Sequence, residues 1–347
     1  MTDLTVLMTV HNGASYLNEC MESILNQTYS DFKFLILDDA STDNSVEMVL
    51  SFQDSRIKLV EMSDNIGQIR ALNKGLLMIN TPLIARMDAD DISLPRRFER
   101  QIAFLESHPH VGICGTFATA FAGKKRIRWS YPCHSPLIKV KLLFECSFVH
   151  SSVMMRKELL DKFDLRYDER MNHSYDWELW QRAARHFDLA NIPEFLVEYR
   201  LHEQSESVRT LDRQQNSAER LDDVLLSQLK LGSHSLRHIH RDVAFETFNA
   251  KNRESKFIDD SMEWFEQLTQ ANRSHRIYSE DALIRFLKER LFIVLTNNIQ
   301  HRLKVLKVFF GQKLYKFVKL TWTFKFTIKI LFPFLMLAVK QIKHEEK

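Results

Sequence analysis

Leu83-Ile84-Ala85-Arg86-Met87-Asp88-Ala89-Asp90-Asp91 joins a short apolar run to three carboxylates packed into four positions. A run of that length bounded by polar residues reads as a buried strand, and the acids stand where it ends. Upstream of it, strand and helix signals alternate. Leu4 to Val10 is strand-like and leads through Asn12-Gly13 into a helix whose period is set by Leu17, Met21, Ile24 and Leu25, with Ser15 as its cap. Phe32 to Leu37 is a second apolar run; it meets Asp38-Asp39 and then the helix start Ser41-Thr42-Asp43. Ile57 to Val60 is a third, followed by Asn65-Ile66-Gly67 and a helix through Leu72, Leu76 and Ile79. Downstream, Pro95 opens a helix with Phe98, Ile102 and Leu105 on one face, and Val111 to Thr116 is a fifth strand.

Repeated strand–helix units of this length predict an α/β fold with a mostly parallel sheet flanked by helices and right-handed crossovers. In such sheets ligands sit beyond the carboxyl ends of the strands. Three polar clusters fall at those ends: Thr9 to Asn12, Asp38-Asp39 and Asp88 to Asp91. After residue 116 the elements shorten. A basic turn (Lys124 to Arg128), a strand-like run (Phe148 to Met155) and a helix (Ser174 to His186) precede a strand from Phe195 to Tyr199, which ends in Arg200-Leu201-His202. Beyond 206 the pattern is mostly helical.

Composition narrows the class. At 347 residues, with 45% hydrophobic and 27% charged residues, the chain can hold one large domain and a smaller appended unit. Eight glycines argue against glycine-rich phosphate loops as the main device. Cys20, Cys114, Cys133 and Cys146 show no zinc-ligand or CxxC spacing and read as buried thiols of a reducing compartment, although four cysteines in a secreted protein could also pair. The chain enters its first strand with no signal-peptide pattern, which favours a cytoplasmic address. Of 48 basic and 45 acidic residues, 11 and two fall within 301–347, leaving 37 and 43 for the remainder. A mildly acidic body thus carries a basic tail aimed at an anionic partner.

Packed carboxylates repel one another, and a bound cation is the simplest stabiliser. Magnesium or manganese suits oxygen ligands and bridges carboxylates to substrate phosphates. The plainer reading is that Asp90 and Asp91 cap the helix after Pro95. The two further polar clusters at neighbouring strand ends favour the metal.

These residues carry a resemblance. Thr9-Val10-His11-Asn12, Ser23-Ile24-Leu25-Asn26-Gln27-Thr28-Tyr29 and Leu37-Asp38-Asp39-Ala40-Ser41-Thr42-Asp43 resemble the N-terminal pattern of the family 2 glycosyltransferases, an inverting family with the GT-A fold. Asn65-Ile66-Gly67 and Ala85 to Asp91 with Pro95 and Arg97 continue it, as do His150-Ser151-Ser152-Val153-Met154, Asp176-Trp177-Glu178-Leu179-Trp180 with Arg182, and Tyr199-Arg200-Leu201-His202. The similarity spans about residues 3–208.

What the resemblance implies is specific. The fold would be GT-A, a Rossmann-like nucleotide-diphospho-sugar transferase architecture, with a C-terminal helical region. Residues 1–208 would form the catalytic domain, 1–116 its nucleotide-sugar half and 117–208 its acceptor half, and 209–347 the helical region. Thr9, His11, Asp38 and Asp39 would meet the nucleotide, with Thr9 and Asp39 on the base, and Arg70 would reach a phosphate or the base. Asp88 would lie near the ribose or donor sugar, and Asp90, Asp91 and His202 would face a Mn2+ or Mg2+ ion. Asp176 matches the base that takes the acceptor hydroxyl proton, although Tyr175 stands where the family often has a second acid. As a first-turn carboxylate Asp176 is equally a helix-dipole partner. His150 reads as an acceptor-pocket or packing residue, and Trp177 and Trp180 as core rather than sugar platforms.

The expected donor is a UDP-hexose or UDP-N-acetylhexosamine and the acceptor an oligosaccharide or lipid-linked glycan of lipopolysaccharide or capsule. The tail at 301–347 mixes Lys with Phe, Leu, Trp and Ile; its apolar run Ile330 to Val339 is broken by Pro333 and too short to span a bilayer. It reads as an amphipathic element lying on an anionic membrane surface at the cytoplasmic face, or as a helical subdomain packed on the body. A nucleotidyltransferase would use similar carboxylates, but it wants a glycine-rich, lysine-bearing loop where Asn12-Gly13-Ala14-Ser15 stands. Nucleic-acid binding through the tail is disfavoured by the acidic body and the absence of a recognised module.

Overall fold

The apolar runs of the first half pair into one sheet. A computed structural model describes residues 3–202, 226–231, 236–244, 255–298 and Val308. The strands are β1 (Leu4–Val10), β2 (Phe32–Asp38), β3 (Ile57–Glu61), β4 (Leu83–Asp88), β5 (Ile92–Ser93), β6 (Val111–Ala122), β7 (Lys125–Trp129), β8 (Met154–Arg156) and β9 (Asp188–Arg200). Their order is β3-β2-β1-β4-β8-β6-β9-β5, with β7 paired to β6. β1 to β4 are mutually parallel where they pair. β8 runs against both β4 and β6, so those two point the same way, and β9 is parallel to β6. The carboxyl ends of β1, β2, β4, β6 and β9 therefore lie at one end of the sheet.

Every residue of β1 is buried, as a strand covered on both faces requires. The two-residue alternation sends Leu7, Leu37 and Ile84 to one face. There they meet Leu72 and Leu76 of α3 (Gln68–Met78) and Leu179 and Trp180 of α7 (Tyr175–Ala183). Val6, Met8, Ile36 and Met87 go to the other face. Their partners are Leu17, Met21 and Ile24 of α1 (Ala14–Leu25), Val49 of α2 (Ser45–Ser51), and Phe98 and Leu105 of α4 (Arg97–Ser107). Each such side chain contributes about 1.5–3 kcal/mol by leaving water. α3 lies so close to the sheet that a Cβ on Gly75 would stand 2.4 Å from Leu7 Cδ1 and 3.0 Å from Leu37 Cδ1. The short helices α5 (Ser135–Lys141) and α6 (Lys157–Lys162) complete this unit.

Several details depart from the sequence reading. Residues 148–155 are not one strand: His150–Ser152 form a 3-10 turn and the paired strand is Met154–Arg156. The hydroxyls there are claimed by polar partners, as described below. β6 runs six residues past the expected end and crosses the 116/117 division, so no structural boundary falls there. Ser15 is not the cap of α1; Gly13 holds that position without a side-chain bond.

The chain divides into two compact units at Leu221/Asp222 rather than at 208/209. In the second unit, α8 (Arg237–Ala244) and α10 (Glu280–Asn297) both pack on α9 (Lys256–His275). Phe257, Ser261, Trp264, Leu268 and Asn272 bury the helical stripe of α9. Buried Trp264 donates its indole N–H to His240 Nδ1 at 3.1 Å. The turn after α9 is held by Asn272, which accepts from Tyr278 N–H at 2.8 Å and donates to Tyr278 O at 3.0 Å. No described helix is long and apolar enough to cross a membrane. The tail at 301–347, Val308 apart, lies outside the described residues. All four cysteines are free thiols; Cys20 and Cys114 are buried, and Cys133 and Cys146 are partly so.

Candidate active site

Two loops at the carboxyl ends of β1 and β2 are laced together by the polar residues that follow each strand. Asn12 N–H donates to Ser41 Oγ at 2.9 Å, and Asn12 Oδ1 accepts from Thr42 N–H at 2.8 Å. The first amides of α1 are satisfied from the other loop, Gly13 N–H by Ser45 Oγ and Ala14 N–H by Asp43 Oδ2. This cross-capping replaces the expected Ser15 cap. His11 is exposed, with its Nδ1 2.8 Å from the Asp39 carbonyl.

Asp38 and Asp39 part company here. Asp39 accepts from Ile66 N–H and Gly67 N–H, at 2.8 and 2.9 Å, one to each carboxylate oxygen. Gly67 supplies the bend for this approach with φ 87°, a region that L-residues avoid. Each oxygen of Asp39, the residue expected on the nucleotide base, accepts one amide of the loop before α3 and keeps a second lone pair. Asp38, 2% exposed, accepts from Ser41 N–H through Oδ2, while its Oδ1 has no partner. Thr9 Oγ1, on the adjacent strand and 7% exposed, is likewise buried and unpartnered. Unpaired buried polar atoms are costly, so a water or a ligand atom that met either of these would be stabilising.

The β4 tip is arranged differently. Arg86, fully buried, forms an ion pair with Asp88 from the same strand face. Ser151 Oγ donates to Asp88 Oδ2 at 2.8 Å. Burial works to raise the Asp88 carboxyl, and Arg86, the His150 ring and Ser151 more than offset it, leaving it below its ordinary range. Asp91 is buried, with Oδ1 accepting from Arg200 N–H at 2.8 Å and Oδ2 hydrogen-bonded to Ser151. Burial, with the nearby charges of Asp90 and Asp88, pushes Asp91 well above the usual carboxylate range. Arg200 also donates from Nε to Asp90 O at 2.8 Å and lies over the rings of Tyr16 and Phe121.

Each Asp91 oxygen, expected to face a metal, takes part in one hydrogen bond inside the protein and keeps a further lone pair. Arg86, Ser151 and His202 contact the three acids, yet Asp90 and Asp91 are still raised by burial and by the charge of their neighbours. Asp90 and His202 lie together beside Asp91, with His202 Nε2 2.9 Å from Asp90 Oδ2. Burial and Asp88 raise Asp90, and the His202 hydrogen bond partly opposes this. Among the described residues no group of three or more His, Cys, Asp or Glu side chains is arranged to hold a metal. A cation here would need further oxygens from a substrate, as magnesium and manganese commonly do at diphosphates.

Asp176 lies half-buried in the first turn of α7, with Cys146 Sγ 3.9 Å from its Oδ2. Tyr167 stands between the two halves of the site. Burial raises its phenol, Arg86 opposes, and the charges of Asp176 and Asp88 both act on it. Arg70 is exposed on α3 and paired with exposed Glu169 at 3.2 Å, so in this conformation it is not turned to a strand tip. Trp180 and Trp177 are core residues, as expected. The residues missed from sequence are Arg86, Ser151, Tyr167 and Arg200. A lone arginine inside an apolar strand, two positions before an acid and so on its face, was the available signal for Arg86.

Comparison with known proteins agrees with this geometry. Residues 5–164 match the family described as Glycosyl transferase family 2. The O-antigen biosynthesis glycosyltransferase WbnJ of Escherichia coli is 32% identical over 210 residues, covering 58% of this chain and 81% of the relative. The putative glycosyltransferase EpsE of Bacillus subtilis is 33% identical over 216 residues, covering 59% and 75%. Among solved structures, S. aureus TarS 1-349 in complex with UDP-GlcNAc superposes with a TM-score of 0.58 at 13% identity, covering 89% of this chain and 92% of that one, a likeness of fold. An α/β sheet with its polar clusters gathered at one end, and relatives matched over most of their length, make this chain a member of the family 2 glycosyltransferases, with the GT-A fold.

Proposed function

We propose that this glycosyltransferase moves a hexose or N-acetylhexosamine from a UDP-sugar to an oligosaccharide or lipid-linked glycan, with inversion, in lipopolysaccharide or capsule synthesis. The observation that carries the donor reading is the gathering of Thr9, Asp38 and Asp39 at the carboxyl ends of the adjacent strands β1 and β2, where Thr9 Oγ1 and Asp38 Oδ1 are buried without a partner. A uracil ring offers an imide N–H that a carboxylate oxygen accepts and carbonyls that a hydroxyl satisfies. The surface-polysaccharide context is supported by the named role of WbnJ in O-antigen biosynthesis. A cytoplasmic, membrane-peripheral location and an anionic membrane partner follow from the basic tail.

In this reading Asp88 orients the ribose or donor sugar, held ionised by Arg86 and Ser151. Asp176 takes the proton of the acceptor hydroxyl as its oxygen bonds to the anomeric carbon and the bond to the diphosphate breaks on the opposite side. Asp90 and His202 would hold Mn2+ or Mg2+, which neutralises charge on the departing diphosphate.

Screening UDP-sugars for UDP release, with manganese and with a chelator, tests the donor and the metal together. Asp176→Asn is expected to bind the donor normally and lose transfer by roughly 100-fold to 10,000-fold. Near-normal turnover in that variant would remove Asp176 from the mechanism.

A further inference from the structure

His150, read from sequence as an acceptor-pocket or packing residue, has its ring beside the Asp88 carboxylate. Its Nε2 is 2.8 Å from the Tyr167 hydroxyl and its Nδ1 is 3.9 Å from Asp88 Oδ2. The side chain is only 10% exposed and is surrounded edge-on by Tyr167, Tyr175 and Trp180. Tyr167 is in turn fixed through its backbone. Its N–H donates to Asn73 Oδ1 and its carbonyl accepts from Asn73 Nδ2, both at 2.9 Å. Asn73 belongs to α3, which Gly75 seats on the sheet.

We propose that Tyr167 and His150 are positioning residues for Asp88: the Tyr167 hydroxyl donates to Nε2 of a neutral His150, placing the ring proton on Nδ1, toward the Asp88 carboxylate. The opposite tautomer would turn the bare Nδ1 lone pair toward an anion in a site of low dielectric, where repulsion is poorly screened. Burial, with the Arg86 guanidinium nearby, holds the imidazole neutral by drawing its pKa down to about 3. A neutral ring with a fixed proton orients the carboxylate without adding a second cation beside Arg86. Tyr167 lies on the segment between α6 and α7, so the stretch leading to Asp176 is set in register with the donor side. The inference rests on the reading of Asp88 as a donor contact.

Two measurements test it. In protein labelled with 15N-histidine, the resonances that disappear in His150→Gln identify this ring. They should show a protonated Nδ1 and an unprotonated Nε2, and the reverse pattern overturns the proposal. In kinetics, Tyr167→Phe keeps the aromatic packing and removes only the hydroxyl. Loss of a hydrogen bond of about 1 kcal/mol predicts a donor KM raised about fivefold with kcat within about twofold. Asp88→Asn separates this claim from the one beneath it. A donor KM raised by Asp88→Asn but untouched by Tyr167→Phe refutes the positioning role alone. A donor KM indifferent to Asp88→Asn removes the donor contact and this inference with it.

Discussion

At the tips of β2 and β4 the chain places neighbouring aspartates, and in each pair the two members have opposite fates. Asp39 and Asp91 have both oxygens hydrogen-bonded within the protein, the first to two backbone amides and the second to Ser151 and an Arg200 amide. Asp38 keeps one buried oxygen without a partner, and Asp90 meets only His202 through its side chain among the hydrogen bonds resolved. Within each tip, one carboxylate is tied to the protein through both oxygens and its neighbour is less engaged. The tips also differ in charge compensation: β4 has the buried cation Arg86, whereas Asp38 and Asp39 rely on amides and a hydrogen-bonded loop.

That contrast is open to direct attack. Arg86→Met would leave Asp88 charged and without its buried partner, at a cost of about 3–5 kcal/mol. Thermal melting should then fall by roughly 10 °C; an unchanged melting temperature would show that the β4 acids need no internal cation. Next in size is the split between Asp90 and Asp91. Asp90→Asn should lower metal-dependent transfer by roughly 100-fold and raise the manganese needed. Asp91→Asn, which mimics a protonated carboxyl, should stay within about threefold. Equal losses in steady-state assays would erase the distinction.

The smallest effects should separate the β2 pair. Asp39→Asn leaves one loop amide unsatisfied and should cost about 1–3 kcal/mol in denaturant titrations, with little change in donor KM. Asp38→Asn should do the opposite, raising donor KM about tenfold, equivalent to about 1.4 kcal/mol, at nearly native stability. A reversed pattern would exchange the roles assigned to these two residues.

The strands β1 to β4 and the gathering of polar residues at their ends were legible because both are local. An apolar run of six or seven residues followed by an acid declares its own period and its own end. The fate of each acid was not, because it is decided by partners far along the chain. Asp91 turns inward to meet Arg200, 109 residues away, and Asp39 is claimed by amides 27 and 28 residues on. Ser151 sits in a polar triplet, His150-Ser151-Ser152, inside a run that otherwise looks like strand. The acids it meets across the sheet are far away in sequence, and it turns there as a 3-10 segment. The antiparallel insertion of β8 left no trace in sequence, since three residues are too few to show a direction.

Gly75 gives the two sides of the cleft a common mechanical footing. Because α3 rests on Leu7 and Leu37 with no room for a methyl group between, any added volume there would lever the helix outward. The start of that helix follows the amides that Asp39 grips, and its middle carries the carboxamide that holds Tyr167. A single displaced hinge point would thus misalign the nucleotide shelf and the stretch leading to the base together, without any reacting group having been touched.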